Sequence, residues 1–320
     1  MVISPGELKA LIYLLDDNDP EVLEHVESKL LSEGPSLIPV LEACWEEEAN
    51  PEIMLKLETL IQKLQQSDLA ETLQDWYVHD REDLLKACII LARIQYPGLN
   101  PRDLNVQLEK IRLDAWIDFR EDISPLEQIA ILNHTMYHKH GFKGNTSDYH
   151  APDNSFINRV LETHSGNPIV LASIYAIVAQ RLNLPVFGVN LPQHFVLCFL
   201  EEPIQDHEIS PFAKMPYLNP QHYGQVLFYI NPFNQGQIFG KKNIDDFLAE
   251  LKLDPRPSYY QPCTTLDMVR RMLRNLLYAF TRQQKPEKVT LIRKLMRVLE
   301  MDDELDDTSD SKSWNPDQSA

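Results

Sequence analysis

The residues 166–199, GNPIVLASIYAIVAQRLNLPVFGVNLPQHFVLCF, constrain the fold more than any other stretch of this chain. From Ile169 to Leu182 the only clearly polar side chains are Ser173, Gln180 and Arg181, with Tyr175 amphipathic. A helix apolar nearly all round must be covered on all sides, so the pattern predicts the central helix of a layered domain. Its start is marked twice. Asn167 can cap it by accepting from the otherwise orphan N–H groups of the first turn. Pro168 fits the first helical position, where its missing N–H costs nothing. A Leu-Pro break then leads into a short strand, and a second strand opens at His194.

The first 105 residues read as helices, with a weak internal repeat at an offset of 31: Pro20-Glu21-Val22 matches Pro51-Glu52-Ile53, and Trp45 matches Trp76. Each copy begins at Asp-Pro or Asn-Pro and continues at helical period, which describes paired helices stacked like HEAT repeats. The first copy breaks at Gly34-Pro35. Pro97-Gly98-Leu99-Asn100-Pro101 is the clearest linker signal in this half. Beyond it, residues 104–118 form an amphipathic helix and 124–138 another, with Ser124 as N-cap and Pro125 at N1. Residues 141–156, GFKGNTSDYHAPDNSF, form a polar loop dense in turn formers, and a short helix follows at 156–161. Residues 186–189, 195–200 and 226–230 are strand-like runs. Two helices return over 266–300, split at 283–286.

Charge and cysteine content exclude several roles. The net charge of -18 should repel nucleic acid and anionic membranes. The start, MVISPGELKA, shows no signal-peptide pattern, and no apolar run approaches the ~20 residues needed to span a bilayer. The four cysteines (Cys44, Cys88, Cys198, Cys263) are far apart with no CxxC pair, which favours reduced thiols in a cytoplasmic protein. His134, His138 and His140 include an i, i+4 pair, but without an HExxH glutamate they read as a solvated helix end. No metal and no cofactor is expected.

Three stretches, GFKGNTSDYHAPDNSFINRVLE, GNPIVLASIYAIVAQRLNLPVFGVNLPQHFVL and YINPFNQG, occur in this order over residues 141–236. The middle of the chain thereby resembles the SirB-type transglutaminase-like family, a domain type also found in one F-box protein. The closing helices resemble that family's tetratricopeptide-like C-terminus. The resemblance implies an α+β fold: a papain- or transglutaminase-like core (104–262) flanked by all-α helical-repeat segments. These are a HEAT-like region (1–103) and a tetratricopeptide-like hairpin (263–300), followed by an acidic disordered tail (301–320). It also implies a Cys-His-Asp ancestry for the site.

Residue by residue, that ancestry is incomplete. A thiol enzyme needs its nucleophile where the positive end of the helix dipole lowers the thiol pKa and stabilises the oxyanion. In the family pattern this cysteine lies about three turns before the arginine ending the helix. Counting back from Arg181 reaches Pro168 or Ile169, and neither can attack. His194 matches the family histidine, in LPQHF where relatives more often have Pro-Gly-His-Phe. Asn231 stands at the orienting aspartate. Cys198 shares a strand face with His194 but lies ~13 Å along it at 3.3 Å per residue, beyond reach of the imidazole.

Asn145, Asp148, Tyr149, Asn154 and Ser155 match the family's loop pattern and, with Gln193, are candidate ligand contacts. Turn chemistry alone also accounts for Asn and Ser here. The expected function is a catalytically inactive binding or scaffold protein for a polypeptide or small polar ligand. The competing reading is a hydrolase or acyl-transferase using Ser165 or Ser173 with His194 and Asn231. Ser173 also fits a core role, bonding back to a carbonyl.

Overall fold

A computed structural model describes residues 4–17, 19–120, 122–201 and 218–301. The chain divides into two compact units, Met1–Asp75 and Trp76–Ala320.

In the first unit, α1 (Pro5–Leu14), α2 (Pro20–Ser32), α3 (Ile38–Glu47) and the first part of α4 (Pro51–His79) share a core. Leu30, Leu41 and Leu57 are fully enclosed in it. Gly34 takes a left-handed φ of 76° between α2 and α3. The second copy of the repeat contains no such turn, and α4 runs on as one helix of 29 residues. Where the first copy has Gly34-Pro35, the second has Gln65-Gln66, two good helix formers with nothing to break the ladder.

The second unit begins before the linker signal. Trp76 is buried and its indole N–H donates to the Asp83 carbonyl at 2.9 Å. Every residue of α5 (Leu84–Ala92) except Leu85 and Lys86 is buried. This helix packs against elements of the same unit, so Pro97–Pro101 falls inside the unit rather than at its edge. The Asn100-Pro101 pair is a helix start: Asn100 caps α6 (Pro101–Trp116), with Pro101 at its first position. The same device opens α7 (Pro125–Asn133), where Ser124 and Glu127 form a capping box. α7 continues into a π-helical turn, His134–Lys139.

The polar loop contains a two-residue strand, β1 (Lys143–Gly144), paired in parallel with β2 (Ser165–Gly166) beyond α8 (Ile157–Thr163). Next comes α9 (Pro168–Arg181), buried from Pro168 through Ala179. It packs against α5, α6, α8 and the sheet, as its all-round apolar surface requires. The sheet is an antiparallel meander of β3 (Val186–Leu191), β4 (His194–Leu200), β5 (Val226–Asn231) and β6 (Gln237–Phe239). It is followed by α10 (Lys241–Glu250), whose Ile244 and Leu248 cover one sheet face. The helical pair α11 (Thr265–Arg282) and α12 (Pro286–Val298) closes the unit. β6 and α10 have no counterpart in the sequence reading. The expected disordered tail lies outside the described residues, apart from Met301, which is buried.

Candidate functional site

The site is built around the N-terminal end of α9. The Asn167 side chain accepts from the Val170 N–H at 3.0 Å and donates to Ser155 Oγ at 2.9 Å. Its backbone N–H donates to the Asn154 carbonyl at 3.2 Å. Asn154 in turn gives its side-chain amide to the carbonyls of Asp148 (2.6 Å) and Tyr149 (3.0 Å). Asn154 Oδ1 accepts from Asn145 at 2.8 Å, and Asn145 Oδ1 accepts from the Asp148 N–H at 3.1 Å. Asn145, Asn154, Ser155 and Asn167 therefore form one network that clamps the polar loop onto the helix start. Their side chains are committed internally, while the Asp148 carboxylate is exposed and the Tyr149 ring half-buried.

Tyr149 connects this loop to the sheet. Its ring meets Phe233 edge-on at 5.9 Å. Phe233 fills the space beside Gly144, where any added Cβ would lie 2.6 Å from its ring. Phe233 follows Asn231, whose Oδ1 caps the tight turn Pro232–Asn234 by accepting from the N–H groups of Phe233 (3.1 Å) and Asn234 (3.3 Å). Asn231 is also hydrogen-bonded to His194. The fold thus brings these two side chains together.

His194 is enclosed on the sheet face away from solvent. Strand alternation puts His194, Val196, Cys198 and Leu200 on the sheet face that α10 covers. The ring lies 6.2 Å from that of Phe247. Burial, the positive charge of Arg271 and, against them, the Asn231 hydrogen bond leave its pKa lowered to about 4. Arg271, from α11, donates to the Leu191 carbonyl at 2.6 Å and to Asn190, holding the turn that presents His194. Gln193 sits in that turn with a left-handed φ of 57°. The glycine that the family resemblance implies at this position is the residue such a backbone favours.

The first turn of α9 is Pro168, Ile169, Val170 and Leu171, apolar and buried throughout. Ser173 Oγ donates to the Ile169 carbonyl at 2.7 Å and is hydrogen-bonded to Cys88. Its single O–H proton is committed to the helix. Ser165 pairs with Lys143 in the short parallel ladder. Burial pushes the thiols of Cys88 and Cys263 up to about 12 and that of Cys198 higher still. This is the reverse of an activated thiol.

A second network escaped the sequence reading. The Tyr175 hydroxyl on α9 donates to Asn133 Oδ1 at 2.8 Å, and Asn133 donates to the Gly236 carbonyl at 2.8 Å. The Tyr137 hydroxyl donates to the Pro232 carbonyl at 3.1 Å. These bonds fix the turn after Asn231 to α7 and α9. Gly236 was visible in YINPFNQG, but nothing in the helical pattern marks Asn133 as its partner. Among the histidines before the loop, His134 and His138 stack at 5.2 Å and His140 bonds Asp114 at 2.8 Å. No cluster of three or more His, Cys, Asp or Glu suited to a metal occurs among the described residues. The four cysteines are free. No helix among the described residues is long and apolar enough to cross a membrane.

Residues 102–274 match the family model described as "Transglutaminase-like superfamily". A UPF0162 protein of Xylella fastidiosa (strain Temecula1) is 36% identical over 120 residues, which cover 36% of this chain and 41% of that protein. A UPF0162 protein of Vibrio cholerae is 21% identical over 209 residues, 64% of this chain and 69% of that protein. F-box only protein 21 of Mus musculus is 26% identical over 162 residues, 51% of this chain and 23% of that protein. The chain thus spans less than half the length of the Xylella and mouse relatives. No solved structure matches.

Proposed function

The chain belongs to the transglutaminase-like superfamily, and we propose that it is a member that binds rather than catalyses. In this reading it is a cytoplasmic scaffold, and the end of α9 receives a polypeptide or small polar ligand. The observation that carries the proposal is the apolar first turn of α9, with Pro168 and Ile169 at the nucleophile position. Two further features support it. A general base works best with a pKa near the operating pH, and His194 is held at about 4. Asn231 can orient an imidazole but cannot stabilise an imidazolium as a carboxylate does. Asp148, Tyr149 and Gln193 are the ligand-contact candidates whose side chains lie outside the clamping network, and Tyr149 meets Phe233 in the turn that Asn231 caps. The free thiols agree with a reducing compartment.

The test exposes the full chain to a thiol-directed chloroacetamide and a serine-directed fluorophosphonate, with adducts mapped by mass spectrometry. We expect no modification at the α9 end. A covalent adduct on Ser165, Ser173 or any side chain beside His194 would overturn the reading in favour of a displaced nucleophile.

A further inference from the structure

Away from α9, the sheet has an incomplete edge. β6 pairs with β5 only at Tyr229, Ile230 and Asn231. Among the described residues, 226–228 therefore have no strand partner on that side, while on the other β4 pairs with Val226 and Phe228 and the register shifts at Leu227. Sheet edges of this kind are usually shortened, charged or covered, because unpaired N–H and C=O groups invite another strand. Here Leu227 is 47% exposed.

A groove of about 550 Å³ runs along this edge, with the segment around Pro257 and Tyr260 as its far wall. The wall is fixed. The Tyr229 hydroxyl donates to the Tyr260 carbonyl at 2.9 Å, and the Tyr260 hydroxyl donates to Asp245 at 2.5 Å. The charged side chains lining the groove are Lys241 and Arg256. Lys241 lies over the Tyr260 ring at 4.9 Å, and neither cation pairs with a carboxylate among the described residues. In a chain of net charge -18, both charged side chains lining this groove are cations, with the Asp245 carboxylate held by the Tyr260 hydroxyl.

We propose that this groove binds an extended acidic segment of a partner protein, which adds as a strand to the open part of β5. Backbone pairing would supply affinity without reading sequence, and alternate side chains would meet Leu227, Tyr229 and Tyr260 on one side. Lys241 and Arg256 select for acid in the partner and against base. The site is separate from the α9 end and uses none of its residues.

The test is fluorescence polarisation with the full chain and three fluorescein-labelled nine-residue peptides. One alternates Glu with Val, one alternates Lys with Val, and the third is the Glu peptide N-methylated at alternate residues. We expect saturable binding of the first and at least about tenfold weaker binding of the other two. Combined Lys241→Glu and Arg256→Glu substitution should cost a similar factor while leaving the melting temperature unchanged. The absence of saturable binding, equal binding of all three peptides, or undiminished binding to the double variant would each overturn the proposal. If the Glu peptide binds only after the acids of residues 302–310 are changed to amides, the groove belongs to the chain's own acidic segment and the partner is excluded.

Discussion

Two polar groups, one at the start of α9 and one where β4 begins and β5 ends, do different work. In the loop network, Asn145, Asn154, Ser155 and Asn167 bond one another and the backbone, so the cluster is self-sufficient. In the sheet-end pair, His194 is enclosed by Phe247, Asn231 and the turn held by Arg271, and its ring is kept neutral. The first arrangement builds a rigid rim. The second joins a histidine to an asparagine in surroundings that lower the histidine's pKa. Polar residues in a family motif thus need not share one purpose: some bond one another and hold a loop in place, while another is buried at a strand end.

Four measurements would sharpen or break that contrast. The largest expected effect is at Asn154, which is 3% exposed and makes three side-chain hydrogen bonds. Asn154→Ala should cost about 3 kcal/mol in urea unfolding, whereas a loss below about 0.5 kcal/mol would mean the network is not what secures the loop.

The next effect concerns pH. His194 has its folded-state pKa lowered to about 4 from 6.5, so the unfolded chain binds the extra proton first. Its contribution is fully present above about pH 6.5 and is lost as pH falls toward about 4, amounting to roughly 3 kcal/mol. His194→Gln should remove that part of the acid sensitivity; identical stability–pH curves for the two proteins would show that the ring is not held neutral.

A smaller change is expected from Asn231→Asp. The new carboxylate should raise the His194 pKa by at least about one pH unit, read by NMR titration. No transferase activity should accompany it, because the first turn of α9 still lacks a nucleophile. The smallest effect is at Gln193, whose left-handed backbone favours glycine. Gln193→Gly should stabilise the protein by roughly 0.5–1 kcal/mol by thermal melting, and a destabilisation would point to a packing role for the glutamine side chain.

Local signals in the sequence were legible wherever a residue's role depends on its near neighbours. Asn167-Pro168, Ser124-Pro125 and the runs that became β3, β4 and β5 all act through backbone conformation within a few residues. The same logic misled at Pro97–Pro101, where a helix cap resembled a linker, because Asn-Pro has one local conformation in either setting. β6 is only three residues long and pairs with β5 across a tight turn, too short for its pattern to stand out. Asn133 is the clearest case beyond reach. Its partners Tyr175 and Gly236 lie 42 and 103 residues away, and no periodicity records such a contact.

The sequence by itself determined that a helix apolar on all sides must be central, where it begins, and that its first turn carries no nucleophile. Those are statements about side-chain chemistry and the helical period, which hold before any contact is made. Only the tertiary structure decided that His194 faces α10, that its pKa falls to about 4, and that the loop asparagines bond to one another. A pKa depends on the solvent and charge that distant segments remove or supply. Whether an amide clamps a loop or greets a ligand depends on which groups the fold brings within about 3 Å.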